Sequence, residues 1–242
     1  MRTMRILHKW LGLIVGVQLL VWTLSGLVFA LLDHHQVTAQ HSIRKSPKPV
    51  LGAETRLREP DDWLGAYEGA ALRDISLVPL AGDWIYRVRL TDRTELRRAE
   101  DGSPMKVDAT LASRLAEDLY AGAGRLRRID LQTETLEARD AEGPVWRATF
   151  DDADATSLYF SAADGRLVAA RNDTWRLFDI FWMLHTMDYQ GRDNFNNPLV
   201  ILVATGALWL GISGGLLLFR SFRPGELNLV ARWRKQRSGA SP

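Results

Sequence analysis

Two stretches of this chain carry no charged side chain: positions 10–32, between Lys9 and Asp33, and positions 199–219, ending at Arg220. They are 23 and 21 residues long, and at ~1.5 Å per helical residue each can cross ~30 Å of hydrocarbon. A cytosolic globule is thereby excluded. So is a fully embedded transporter, because two spans cannot enclose a pathway alone. The first stretch exceeds the ~7–15 apolar residues of a cleavable signal. No small-x-small site follows Phe29-Ala30-Leu31-Leu32, so it reads as an uncleaved signal anchor. Arg2, Arg5 and Lys9 precede it. Arg220, Arg223, Arg232, Arg234, Lys235 and Arg237 follow the second stretch, against one acid, Glu226. Cationic flanks stay cytoplasmic. Both termini are expected inside, with residues 33–198 exported as one segment large enough for its own core.

That segment reads as two related halves. After Ser46-Pro47-Lys48-Pro49, Asp61-Asp62 starts a short helical run through Trp63, Leu64 and Tyr67. Ile75–Val78 and Trp84–Leu90 then alternate apolar with polar, as half-buried strands do, and a third strand precedes the turn Asp101-Gly102. In the second half, Asp108 caps an amphipathic helix over 108–120. Strands follow around Ile129–Leu136, Val145–Phe150 and Ser157–Phe160, closing at Asp164-Gly165. The two Asp-Gly turns are offset by 63 (164 − 101) and the strands at Trp84 and Pro144 by 60 (144 − 84). A helix-then-hairpin unit used twice accounts for this; two unrelated hairpins are the alternative.

His8-Lys9-Trp10-Leu11-Gly12, the strand Tyr86-Arg87-Val88 with its Asp-Gly turn, and Ser213-Gly214-Gly215-Leu216 before Arg220 together carry a likeness. The chain resembles the PepSY-associated transmembrane proteins over essentially its whole length. The resemblance implies an α+β membrane protein of the bacterial inner membrane. Two transmembrane helices would flank an exported segment of two PepSY-like units, each a helix on a small antiparallel sheet. The expected parts are a cytoplasmic N-terminus (1–9), a first span (10–32), a linker (33–60) and PepSY-like units at 61–107 and 108–172. An interfacial amphipathic helix (173–190), a second span (199–219) and a basic cytoplasmic tail (220–242) complete it. Larger family members have four spans, against two here.

Five histidines are present: His8, His34, His35, His41 and His185. Trp175, Phe178, Trp182, His185 and Tyr189 step by 3, 4, 3 and 4, one stripe of a helix lying in the headgroup region with His185 facing the membrane or the first span. Neutral imidazole is a strong iron ligand, and some relatives resemble haem-containing reductases of ferric chelates. The resemblance therefore implies haem b on His185, His8, His34 or His35. Gly12, Gly16, Gly26, Gly206, Gly211, Gly214 and Gly215 leave room for a flat macrocycle. The same residues admit plainer readings: interfacial His and Trp as anchors, and Gly12-x-x-x-Gly16 and Gly211-x-x-x-Gly215 as helix-packing seams. His41 reads as solvated. His8 and His34 lie 26 residues apart, roughly 39 Å along a helix, so they cannot serve one haem. Two sites, one per leaflet, would need a second imidazole at the cytoplasmic side, which makes a homodimer attractive; a non-His ligand is the alternative.

Asp33 beside His34-His35, and Asp188 near His185, supply hard oxygen donors for an iron site on the exported face, or simply cap helices. Asp151-Asp152-Ala153-Asp154 lacks the spacing of a calcium loop and reads as a turn. With no cysteine, disulfides, thiolate metal sites and iron–sulfur clusters are excluded. A net charge of only +2, without a basic stripe, excludes a nucleic-acid partner. No nucleotide-binding or hydrolase motif is present. The expected partners are the lipid bilayer, a second copy, a quinol or other electron donor, and a ferric chelate. The expected activity is haem-dependent electron transfer to exported ferric iron. The alternatives are a non-catalytic anchored PepSY module that binds or restrains another envelope protein, and a subunit that stabilises an oxidoreductase complex.

Overall fold

The computed structural model describes residues 2–44, 50–52 and 55–221; the Ser46–Pro49 linker and the tail beyond Ser221 lie outside the described residues. In chain order the helices and strands are α1 (Arg2–Leu31), α2 (His34–Val37), α3 (Asp61–Leu64), β1 (Leu72–Leu80), β2 (Asp83–Leu90), β3 (Thr94–Arg98) and β4 (Pro104–Met105). Then come α4 (Ala109–Leu119), β5 (Leu126–Gln132), β6 (Val145–Phe150), β7 (Ser157–Ser161), β8 (Leu167–Arg171), α5 (Asp173–Thr186) and α6 (Pro198–Ser221). The chain divides into two compact units, one of residues 1–28 and 181–242, the other of residues 29–180.

The first unit is built on α1 and α6, whose apolar windows fall in Arg5–Leu31 and Pro198–Ser221 with only 11% of each buried. The core helix of a soluble protein would be mostly buried, so so much bare apolar surface calls for lipid. α6 starts where the chain chemistry says it should. Asn197 accepts the Val200 N–H at 3.0 Å as N-cap, and Pro198 takes the first helical position, where its missing N–H costs nothing. A side chain at Gly206 would stand 3.2 Å from Val15 Cγ2, so that glycine sets the closeness of α1 to α6.

The second unit holds two four-stranded antiparallel sheets, β1-β2-β3-β4 and β5-β6-β7-β8, each in sequential order. The repeat read from the turns is present bond for bond. In the first half Arg98 N donates to Ser103 O and Gly102 N to Arg98 O, and in the second Ser161 N donates to Arg166 O and Gly165 N to Ser161 O. All three positions shift by the same 63 residues. Both glycines have positive φ, +74° and +71°, the left-handed conformation a side chain disfavours. The sequence pattern omits two strands, β4 and β8, because each is short and follows its turn with no polar alternation to mark it.

The fold is thus the expected pair of sheet units between two spans, and within it one helix plays a double part. The Asp108 carboxylate caps α4 by accepting Leu111 N–H at 2.8 Å. This helix serves both sheets: Leu111, Ala112, Leu115 and Ala116 share one core with Ile85 and Leu96 of the first sheet and Ala148, Phe150, Leu158 and Phe160 of the second. The first half's own helix, α3, is four residues long and buries Trp63 with Tyr67, Tyr86, Val88 and Leu90. A single helix between two sheets covers an apolar face of each, which removes the need for a second long one.

A Cβ at Gly102 would lie 2.6 Å from Trp63 Cδ1. Gly102→Ala is therefore expected to destabilise the fold by roughly 1–3 kcal/mol, combining left-handed backbone strain with displacement of the indole. A thermal melt of the full chain followed by circular dichroism checks this; an unshifted midpoint would deny the turn its role.

Candidate functional site

The apolar span α1 carries a polar stripe on one face, Gln18, Trp22 and Ser25, at steps of four and three. All three meet the last turn of α5. Gln18 Nε2 donates to Leu184 O at 3.2 Å, Trp22 Nε1 to His185 O at 2.7 Å, and Ser25 Oγ lies 2.7 Å from His185 Nδ1. The carbonyls at a helix C-terminus have no partner within the helix, and in an apolar layer each unpaired one is costly. α1 supplies those partners. Asn197 completes the set by donating to Thr186 O at 2.8 Å. The Trp22 ring stands 6.1 Å from the His185 imidazole, tilted by 41°.

A second cluster of the same composition lies nearer the N-terminal end of α1. His8 Nδ1 is 2.8 Å from Ser213 Oγ on α6, and its ring is 6.3 Å from that of Trp209, tilted by 40°. Gly214 makes room for it, since a Cβ there would come within 3.2 Å of His8 Cε1. Two of the three sequence features that carried the family likeness, the run at His8 and the Ser213-Gly214 pair, thus meet in one contact. Both serines are buried, at 0% and 4% exposure. Seventeen residues separate His8 from Ser25, roughly 26 Å along a helix, so the clusters sit at separate depths of the span.

The remaining candidates are placed differently. His34 and His35 are exposed on α2, edge to face at 6.3 Å, and Asp33 is the N-cap of that helix, accepting His35 N–H at 3.0 Å. His41 pairs with Asp154 at 3.3 Å. Asp188 follows α5, which ends at Thr186 ahead of the positive φ of Met187. Its two oxygens accept the backbone N–H groups of Gln190, Gly191, Asp193 and Asn194. Those backbone donors, Asn194 foremost, hold its carboxyl below the ordinary range. Four donors occupy the four lone-pair sites of a carboxylate, so Asp188 organises the loop into α6. Among the described residues no group of three or more His, Asp or Glu gathers as a metal cage. Asp152 accepts Thr156 N–H at 2.8 Å and Tyr120 O–H at 2.7 Å, so the acidic run is a turn, as its spacing suggests.

Gln18, Trp22, Ser25, Trp209 and Ser213 are absent from the candidates read from sequence. The signal for the first three was available, a polar stripe at helical spacing inside an otherwise apolar span. Ser213 stands in the family-like Ser213-Gly214-Gly215-Leu216 run, but nothing local marks it as a partner of His8, which lies 205 residues away.

Of known families, the one described as the PepSY-associated TM region matches residues 5–240. No curated protein and no solved structure matches the chain.

Proposed function

The chain belongs to the PepSY-associated transmembrane family, and from that premise we propose that this membrane-anchored PepSY protein binds haem b and passes electrons to ferric iron or ferric chelates outside the cytoplasm, in iron uptake. One observation carries the reading: an imidazole tethered through Nδ1 to a buried serine and set beside a tryptophan occurs twice, at two depths of the same span. Polar residues within a span mark functional sites by default. A metal-ligating histidine characteristically binds a second group through its other ring nitrogen.

The donor chemistry fits. Imidazole is a common protein ligand of haem iron, and a Cβ at Gly16, Gly26, Gly211 or Gly215 would meet no atom within 4 Å, so flat faces of both spans are bare. His8 and His185 would hold the group, which supplies one-electron ferric/ferrous chemistry when bound. Each cluster contributes one imidazole and a bis-imidazole iron takes two. A second copy would supply the others if a two-fold axis along the membrane normal passed close to both clusters, since residues beside such an axis meet their own counterparts. The donor is a quinol, which yields two electrons and two protons and so reduces two ferric ions. Both termini lie in the cytoplasm of this inner-membrane protein and residues 33–198 outside it, in keeping with the cationic flanks.

The test is the absorption spectrum of detergent-purified protein, air-oxidised and then reduced with dithionite. The expected result is a Soret band with sharp α and β bands on reduction, lost in His185→Ala while the sheets keep their circular dichroism. A folded, colourless preparation made with haem available would overturn it. That outcome favours the anchored binding module, for which the structure offers a cleft of about 860 Å³ of mixed charge, its five arginines set among the acids Asp74, Asp92, Glu142 and Asp164.

A further inference from the structure

The two imidazoles share a device that fixes which nitrogen carries the proton. Ser25 Oγ lies 3.0 Å from the Trp22 carbonyl, and Ser213 Oγ lies 3.2 Å from the Leu210 carbonyl. A carbonyl oxygen only accepts, and a hydroxyl has one proton to give. Each serine therefore donates along its own helix, to the residue three positions back. In its other contact it is the acceptor, at 2.7 Å for His185 and 2.8 Å for His8. The donor there is Nδ1–H. Both rings are then held as the tautomer protonated on Nδ1, with the lone pair on Nε2. Imidazole in water favours the opposite arrangement, so the protein imposes this one at two places with the same parts. Burial of both hydroxyls keeps water from replacing them, and Trp22 Nε1 on the His185 carbonyl fixes the backbone behind that ring.

We propose that Ser25 and Ser213 are positioning residues which, by holding His185 and His8 in the Nδ1–H form, present Nε2 of each as a metal-ligating atom. This deepens the haem reading and rests on it for the identity of the metal group, but the tautomer itself belongs to the chain alone. Without the serine, the ring would return toward the Nε2–H form. Ligation would then have to pay for exchanging the tautomer and for losing the hydrogen bond that raises ligand basicity.

Selective 15N-histidine labelling of the full-length protein, purified from haem-limited cells in detergent, tests the tautomer directly. Only five histidines are present, and His8→Gln and His185→Gln assign the two signals. The expected result is the Nδ1–H pattern for both. Ser25→Ala should shift His185 alone toward Nε2–H, Ser213→Ala should shift His8 alone, and Ser25→Thr, which keeps the hydroxyl, should restore His185. Haem titration of the alanine variants should then show a roughly 10–100-fold weaker affinity. Wild-type rings in the Nε2–H form, or tautomers indifferent to both serine substitutions, would overturn the inference. Tautomers that respond as expected in a protein that binds no haem would leave the serine device standing and sink the haem reading alone. Haem bound with unchanged affinity in both alanine variants would overturn the serines' positioning role and leave the haem reading standing.

Discussion

Glu137→Leu is expected to destabilise the two-sheet unit by roughly 2–4 kcal/mol, toward the lower side of what losing one member of a buried ion pair costs, since both partners keep some exposure. Glu137 sits in the short turn before β6 and collects three charge-assisted or hydroxyl donors. These are Arg176 Nε at 2.9 Å and Nη2 at 3.1 Å, and Tyr159 O–H at 2.6 Å. Arg176 lies in the first half of α5, so the carboxylate ties that helix to the second sheet. Leucine would leave the fully buried Tyr159 hydroxyl without its acceptor. Arg176 would retain Asp173 at 2.9 Å and the Ala155 carbonyl, which limits the damage on that side. Burial alone would raise the Glu137 carboxyl; the Arg176 guanidinium and the Tyr159 hydroxyl outweigh it and hold it below the ordinary range. A carboxyl depressed in the folded state stabilises above its unfolded value, about 4.3, and that contribution is lost as pH falls through the folded one. Glu137→Leu should therefore also flatten the acid limb of the stability curve below about pH 4. Combining it with Arg176→Met measures the coupling, expected at roughly 0.5–3 kcal/mol. A single variant that melts with the wild type across that range would reduce the network to a surface ornament.

The parts legible in the sequence are those whose signal is local. Lys9 and Asp33 mark off the first span by charge alone. Val145–Phe150 is read to the residue, because its alternation lies between a Gly-Pro start and an acidic turn. Asp108 announces α4 by its capping chemistry. Position 186 was not legible as the end of α5, since the aromatic stripe runs on to Tyr189 while the backbone turns at Met187 and Asp188 takes over the chain. The sharing of α4 between two sheets was hidden for a different reason. An amphipathic pattern reports that a face is buried but not how many surfaces bury it. The histidines were visible as residues and their pairing with serines was not, because hydrogen bonds spanning 160 and 205 positions leave no trace in any window of sequence.

The arrangement of the clusters acquires a direction only through the orientation of the spans, and here the expected effect is all-or-none. The chain has no cysteine, so a single introduced thiol reports without background. Glu117→Cys, on the exposed side of α4, is expected to react with a membrane-impermeant maleimide in cells whose inner membrane is intact. Thr3→Cys and Ser238→Cys should react only after that membrane is opened. The reasoning is electrostatic: six cations after the second span and three before the first resist transfer across the bilayer, where acids contribute little to the balance. That labelling pattern would put His8 toward the cytoplasmic face and His185 toward the exported one, so a donor at one cluster and ferric iron at the other would be separated by the depth of the span. Glu117 protected and both termini labelled from outside would invert the scheme. The two sheets would then face the cytoplasm, and neither an exported iron-reducing site nor an exported binding module would survive.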